Sequence, residues 1–147
     1  MVKKSALSHR AAFTIVELLV VAAVFFVMLS ALTPFVNMAK DRSRKIKCAN
    51  NLRQISLGIH SYAADHEDAF PADLGSLYPS YVTNEKVFDC PATKKEGTAT
   101  APEYSYVTGL RESSDPKGAI AADLDGNHGK KAGKNVLRLD GTVEWAG

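Results

Sequence analysis

The chain has 147 residues, which suits one compact domain and an additional segment outside it. Apolar residues make up 46% of the chain, and the formal net charge of +2 is too small to indicate a nucleic-acid-binding protein. The position of the charge is more informative, because Lys3, Lys4 and Arg10 precede a long apolar run with no acidic residue among them. The composition therefore argues against a nucleic acid partner and directs attention to the N-terminal segment.

The apolar run covers residues 18–38 and reads LLVVAAVFFVMLSALTPFVNM. About 20 helical residues cross the roughly 30 Å hydrocarbon core of a bilayer, so the run predicts a single membrane-spanning helix. The basic residues upstream should stay in the cytoplasm, which places the rest of the chain in the periplasm. Two alternatives are a secretory signal peptide, whose apolar region is usually shorter, and a plain signal anchor, which leaves Glu17 unexplained.

Glu17 opens the apolar run as a carboxylate that must lie at or within the membrane. A charge near the bilayer centre costs about 2.5 kcal/mol or more, so such a residue usually has a partner. No basic residue lies one helical turn away within the run, but cleavage before Phe13 would create an α-amino group four residues from Glu17. We expect the amine of one subunit to meet the Glu17 carboxylate of its neighbour in a filament. The alternative is an interfacial Glu17 that reaches back to water.

The stretch AAFTIVELLV at residues 11–20 resembles the processing site of type IV prepilins and type II secretion pseudopilins. The resemblance implies that a prepilin peptidase removes a basic leader, residues 1–12, by cutting between Ala12 and Phe13, and then methylates the amine of Phe13. The usual residue before the cut is Gly, and Ala12 is its smallest replacement, so we expect cleavage still to occur. The segment 13–38 is then the transmembrane and assembly half of the first helix.

Pro34 lies within this half. A proline inside a helix removes one backbone hydrogen bond and clashes with the carbonyl four residues back, here that of Ser30. We expect a kink or a locally unwound stretch, and the arrangement is similar to the helix break that becomes extended in pilin filaments. The alternative is a tolerated membrane proline, with the hydroxyl of Thr33 nearby to satisfy the backbone.

Residues 39–66 predict an amphipathic periplasmic half of the same helix. Apolar residues recur at spacings of four and three along one face, while Lys45 and Arg53 are assigned to the opposite face. The apolar positions are Cys48, Leu52, Ile55, Ile59 and Tyr62. The motifs CANNLRQ at 48–54, Phe70-Pro71 and VFDCP at 87–91 resemble a subgroup of bacterial pseudopilin-like proteins.

The two cysteines, Cys48 and Cys90, both follow the apolar run and would face an oxidising compartment. We therefore predict a disulfide between them, which would stabilise the domain by about 4 kcal/mol in the chain-entropy model. The alternative is a pair of free thiols with Cys48 buried.

Residues 67–147 predict a loop-rich β domain. Short strands are expected at 104–108, 119–123, 136–139 and 142–145, with a type I′ hairpin at Asp140-Gly141. The expected fold is α+β and pilin-like: a long N-terminal helix, half in the membrane and half amphipathic, packed on a small antiparallel sheet of three or four strands.

Metal binding and catalysis receive little support from the sequence. Asp123, Asp125 and Asn127 place oxygen ligands at alternating positions and are weak calcium candidates, although an Asp/Gly/Asn turn explains them without a metal. The absence of a CxxC pair and of zinc-like histidine spacing argues against a zinc site. No nucleophile–base motif, phosphate-binding loop or dinucleotide fingerprint is present, so we expect no enzyme.

The function that these features predict is a structural subunit of a type II secretion pseudopilus or a type IV pilus-like filament. The expected partners are a prepilin peptidase, other copies of the chain and other pseudopilins, membrane lipid, and an inner-membrane assembly platform with its ATPase acting indirectly. The expected location is the bacterial inner membrane, and then a periplasmic or extracellular filament. The alternative is a membrane-anchored periplasmic or surface binding protein that does not polymerise.

Overall fold

A computed structural model describes residues 13–93, 95–129 and 133–147 of the chain. The chain divides into two units, Met1–Met38 and Ala39–Gly147, and each is described by itself. The predicted leader, including Ala12 and therefore one side of the predicted cleavage site, lies outside the described residues.

Helix α1 begins at Ile15 and ends at Asp65. Its first turn is capped by Thr14, whose hydroxyl oxygen accepts a hydrogen bond of 3.2 Å from the Glu17 backbone N–H. The helix is continuous through Pro34, so the structure contains no unwound stretch at this proline. The Thr33 hydroxyl donates to the carbonyl of Leu29 at 3.3 Å and not to that of Ser30, which corrects the role expected for Thr33.

In the second unit, the part of α1 that follows Met38 buries one stripe of side chains against the domain. Cys48, Leu52, Ile55 and Ile59 are fully buried and Tyr62 is partly buried, which confirms the predicted apolar face. Lys45 does not belong to the opposite face, because it lies three residues before Cys48, within one turn of the same side. Its Nζ is 3.9 Å from the centroid of the Trp145 ring.

Four strands form one antiparallel sheet in the order β1-β2-β3-β4. The strands are β1 Tyr104–Tyr106, β2 Ala119–Asp123, β3 Lys134–Arg138 and β4 Val143–Ala146. Two short 3₁₀ helices, Leu74–Leu77 and Glu85–Phe88, lie between α1 and the sheet in the chain. The core joins the helix stripe to buried side chains from these elements, among them Phe88, Ile120 and Leu137. The predicted α+β fold, a long N-terminal helix packed on a small antiparallel sheet, is confirmed.

The β3–β4 hairpin is present at the predicted place, but its predicted turn type is wrong. A type I′ turn requires positive φ at both central residues, and only Gly141, at φ +80°, has it here. The Gly141 N–H donates to the Arg138 carbonyl at 3.0 Å, and the Arg138 N–H donates to the Thr142 carbonyl at 2.8 Å. This is a three-residue loop in which a type I turn is followed by a glycine bulge.

Candidate functional site

The first candidate site is the apolar segment, residues 13–38. All its large hydrophobic side chains are exposed, with Phe13 at 73% and Phe26 at 73% exposure. Helix α1 is long and apolar enough here to cross a membrane by length and composition. Glu17 is the only charged residue between Phe13 and Ala39, and its side chain is exposed. Within the described residues, Glu17 forms no ion pair, so its carboxylate is available to a group outside this part of the chain.

The second candidate site is a group of four side chains that we name the buried polar cluster: Cys48, Cys90, Asp123 and His128. One potential ligand atom from each lies within 4.8 Å of all the others. Three different parts of the domain supply them, namely helix α1, the loop after the second 3₁₀ helix, and the end of β2 with the turn that follows. Side chains from positions up to 80 residues apart in the sequence therefore meet at one buried point.

Local hydrogen bonds explain how the loop presents Cys90. The Cys90 N–H donates to a carboxylate oxygen of Glu103 at 3.2 Å, and the Thr93 hydroxyl donates to the same oxygen. Asn51 on α1 donates to the carbonyl of Asp89 at 2.8 Å, which holds the residue before Cys90 against the helix. These contacts fix the backbone on both sides of Cys90, so its thiol points at α1.

Asp123 is the most buried charged residue of the cluster, with a side chain that has no solvent exposure. Its Oδ2 accepts three hydrogen bonds: from the Asn135 backbone N–H at 2.9 Å, from Asn135 Nδ2 at 2.8 Å, and from His128 Nε2 at 2.9 Å. Its Oδ1 is buried and has no hydrogen-bond partner among the described residues. A buried polar atom without a partner costs free energy, so this oxygen calls for an explanation.

The two cysteines predicted to pair are brought together. Both are fully buried, their Sγ atoms are 2.6 Å apart, and the structure carries them as free thiols. The pKa of the Cys48 thiol is raised, first by its hydrogen bond with Cys90, then by burial, and further by the negative charge of Asp123. The covalent bond between the two sulfur atoms stays a prediction.

His128 contacts both kinds of partner through the same nitrogen. Its Nε2 lies 2.9 Å from Asp123 Oδ2 and 3.9 Å from the sulfur of Cys90. A catalytic thiol–imidazole–carboxylate chain needs the cysteine on one ring nitrogen and the carboxylate on the other. The atoms of the cluster converge on one point instead, which is the geometry of ligands around a shared centre.

Aromatic and cationic groups cover the cluster. The Trp145 ring meets the His128 ring edge-on, with 5.4 Å between centroids and 72° between planes. Lys45 Nζ lies over the Trp145 ring. Only 3% of the His128 side chain is exposed. A pocket of about 510 Å³ adjoins His128 and is lined on the helix side by Asp41, Arg44 and Lys45.

The weak calcium candidates have separate partners. Asp123 faces His128 and Asn135, Asp125 is exposed and pairs with Lys134 at 2.8 Å, and Asn127 donates through Nδ2 to the Glu103 carbonyl at 3.1 Å. The Asn127 amide therefore presents its donor and not its oxygen in this contact. Of the three, only Asp123 belongs to the buried polar cluster.

Comparison with known proteins gave one result. Residues 37–86 match the model of a family described as "Protein of unknown function (DUF1559)", a family of prepilin- and pseudopilin-like proteins in general. The match covers the amphipathic part of α1 and the first loops of the domain, about a third of the chain, and is compatible with a pilin-like surface protein. Neither the comparison with curated proteins nor that with solved structures gave a match.

Sequence reasoning found Cys48, Cys90 and Asp123 but assigned them to two different roles, and it gave no role to His128. The signal that would have joined them is the topology of the domain, which places the end of β2 beside the cysteine-bearing face of α1. No spacing in the sequence carries that information, because the four residues come from separate elements.

Proposed function

We propose that this chain is a structural subunit of a type II secretion pseudopilus or a type IV pilus-like filament, assembled through its apolar segment. The observation that carries the proposal is an exposed apolar helix with a single carboxylate at its start. A helix with apolar side chains on all faces is stable only in lipid or when it is packed among other such helices. A subunit that is first held in the membrane and then incorporated into the helical core of a filament meets these two environments one after the other.

Glu17 gives the assembly its register. In lipid the carboxylate is costly, and a cation on a neighbouring subunit lowers that cost by forming a charge-assisted contact. The N-terminal amine created by cleavage before Phe13 is such a cation, and it remains positively charged after methylation. Only a neighbour displaced by a fixed step along the filament axis places its amine at Glu17, so the pair selects one arrangement of subunits.

Maturation and assembly need other proteins in this proposal. A prepilin peptidase cleaves between Ala12 and Phe13 and methylates the new amine. An inner-membrane platform, driven indirectly by an ATPase, lifts mature subunits from the bilayer into the filament. At that step the continuous helix of the free subunit opens at Pro34. Proline has no N–H, so the carbonyl of Ser30, four residues earlier, receives no helical hydrogen bond there. The β domain remains outside the membrane and performs no catalysis.

The test is the incorporation of Glu17 variants into filaments in cells that express the full assembly machinery. Glu17→Gln keeps the size of the side chain and removes its charge, and we expect it to reach the membrane but to be lost from sheared filaments. Glu17→Asp keeps the charge and should retain part of the incorporation. Ser30→Ala is the matched control within the segment, because the Ser30 hydroxyl donates to the Val27 carbonyl of its own helix at 2.8 Å and carries no charge.

Equal incorporation of Glu17→Gln and the parent chain would contradict the proposal. A chain that stays monomeric in the membrane, whether or not it carries Glu17, would instead favour a membrane-anchored surface binding protein.

A further inference from the structure

We propose that the buried polar cluster binds one thiophilic divalent cation, with zinc as the ion that fits its ligands best. Two cysteine sulfurs, one imidazole nitrogen and one carboxylate oxygen are all established zinc ligand types, and four of them match tetrahedral coordination. The cluster lies entirely in the second unit, in residues 48–128. The inference does not depend on filament assembly, since a monomer and a filament subunit would bind the metal alike.

A disulfide alone leaves features of the cluster without an explanation. A Cys48–Cys90 disulfide would account for the two sulfur atoms, but it would leave Asp123 Oδ1 buried without a partner. It would also leave the approach of His128 Nε2 to the Cys90 sulfur, at 3.9 Å, without a role. A cation at the shared centre provides a partner for the carboxylate and a common target for all four side chains.

The ligand set also matches the charge of a divalent cation. When the metal binds, both thiols lose their protons, so two thiolates and the Asp123 carboxylate together bring three negative charges to a site shielded from water. A divalent cation offsets two of these three charges. Because the thiols release protons when the metal binds, the affinity should rise with pH.

An outer layer of contacts holds the four ligand side chains in place. Asn135 fixes the Asp123 carboxylate by donating from its backbone N–H and from Nδ2, and the same Nδ2 lies 3.2 Å from the Lys45 carbonyl on α1. Trp145 packs on the His128 ring and restricts its orientation. Such outer contacts are typical of metal sites, where they orient the ligands.

The ligand types favour zinc over calcium. Calcium takes six to eight oxygen ligands, whereas thiolates select soft or borderline cations. Two thiolates on a tetrahedral zinc lie about 3.8 Å apart. The sulfur atoms, now 2.6 Å apart, therefore have to move outward when the metal binds. The same two sulfur atoms would form either the disulfide bond or the bonds to the metal, so the predicted disulfide and the metal exclude each other.

The experiment is a cobalt titration of the full-length chain in detergent micelles, reduced with a phosphine that does not bind the metal. Tetrahedral cobalt has intense visible bands, and cobalt–thiolate bonds add a charge-transfer band in the near ultraviolet. We expect both signals to saturate at one cobalt per chain and to disappear when zinc is added.

Matched variants locate the ligands. Asp123→Asn and His128→Asn should weaken cobalt binding by about 10- to 100-fold or more. Asp125→Asn removes an exposed carboxylate two residues away, and His60→Asn removes a histidine that pairs with Glu112 at the surface; both should bind like the parent chain. Cys90→Ser should lose about half of the charge-transfer intensity, because one of two thiolates is gone.

Folding is checked on each metal-free variant by its cooperative urea unfolding transition, followed by the fluorescence of Trp145, the single tryptophan. If one ligand variant fails to fold, the other folded variants still decide the result. The absence of a charge-transfer band in the folded, reduced parent chain would overturn the proposal. So would parent-like cobalt affinity in folded Asp123→Asn and His128→Asn, because the two thiols would then bind the metal alone.

Discussion

Two stretches of helix α1 have the same backbone structure and opposite surfaces. From residue 15 to 38 the large apolar side chains are exposed on every side, and the only charge is that of Glu17. From residue 39 to 65 one stripe of apolar side chains is buried against the domain, and the remaining faces are mainly polar. Helical structure alone therefore does not determine what each stretch does; the distribution of apolar side chains around the axis does.

The difference shows which solvent each stretch is suited to. The second stretch obtains its stability from tertiary packing, as most helices of soluble domains do. The first stretch has no such packing partner in the described residues, and its surface matches a lipid or helix-packed environment. Substitutions that act on only one of these environments test the comparison.

The largest expected effect comes from truncating a buried side chain of the second stretch. Leu52→Ala should lower the free energy of unfolding of the domain by about 2–5 kcal/mol, because Leu52 is fully buried and its removal leaves a cavity. Urea unfolding followed by Trp145 fluorescence measures this. Leu19→Ala, the same change in the first stretch at 65% exposure, should leave the domain transition unchanged. A comparable loss for Leu19→Ala would break the distinction between the stretches.

Two arginine substitutions test which stretch of the helix lies in lipid. Val24→Arg in the first stretch should oppose membrane insertion by about 2.5–3.5 kcal/mol. Leu57→Arg changes an equally apolar residue that is 70% exposed in the second stretch, and it should leave membrane insertion intact. Fractionation of cell membranes with alkaline extraction measures both variants. Membrane retention of Val24→Arg equal to that of the parent chain would contradict the prediction that the first stretch lies in the hydrocarbon core.

The smallest expected effect is a pH response confined to the domain. Burial raises the pKa of Tyr106 to about 12, with smaller contributions from Asp73 and Tyr62, and burial also raises the pKa of Tyr104. A raised pKa in the folded state means that the neutral phenol contributes stability that is fully present below about pH 10 and is lost as the pH rises through about 12. The domain should therefore unfold in this range while the apolar segment stays helical in detergent.

Trp145 fluorescence and tyrosinate absorbance follow that transition, and Tyr106→Phe should move its midpoint to higher pH. The same variant loses the hydrogen bond from the Tyr106 hydroxyl to the Pro71 carbonyl, 2.9 Å long, which should cost about 1 kcal/mol at neutral pH. Ionisation of all five tyrosines near pH 10 without unfolding would contradict the raised pKa values of Tyr104 and Tyr106.

Most of the fold could be predicted from local patterns. The run at 18–38, the stripe from Cys48 to Ile59 and the alternation around Asp140-Gly141 each depend on neighbours a few residues away, and each gave the correct element. The hairpin turn was mistaken because Asp-Gly occurs both in type I′ turns and in a type I turn with a glycine bulge. Lys45 was misplaced although its spacing of three residues from Cys48 puts it on the buried side of the helix, and its contact with Trp145, a residue 100 positions away, is visible only in the structure.

The buried polar cluster could not be predicted in this way. His128 and Asp123 are close in sequence, but their meeting with Cys48 depends on the order of the strands and on the side of the sheet that the helix covers. Reading Cys48 and Cys90 as a pair gave half of the cluster. The prediction of Asp123 as an oxygen ligand identified a third residue of the four. That all four side chains share one centre is visible only in the three-dimensional structure.

Mass spectrometry of the mature chain tests the central claim most directly. Intact mass and N-terminal fragment ions should show a chain that begins at N-methylated Phe13 when the prepilin peptidase is present, and the full-length chain when the peptidase gene is deleted. Recovery of only full-length, unmethylated chains from cells with an active peptidase would contradict the account, because Glu17 would then lack the amine that it requires for assembly.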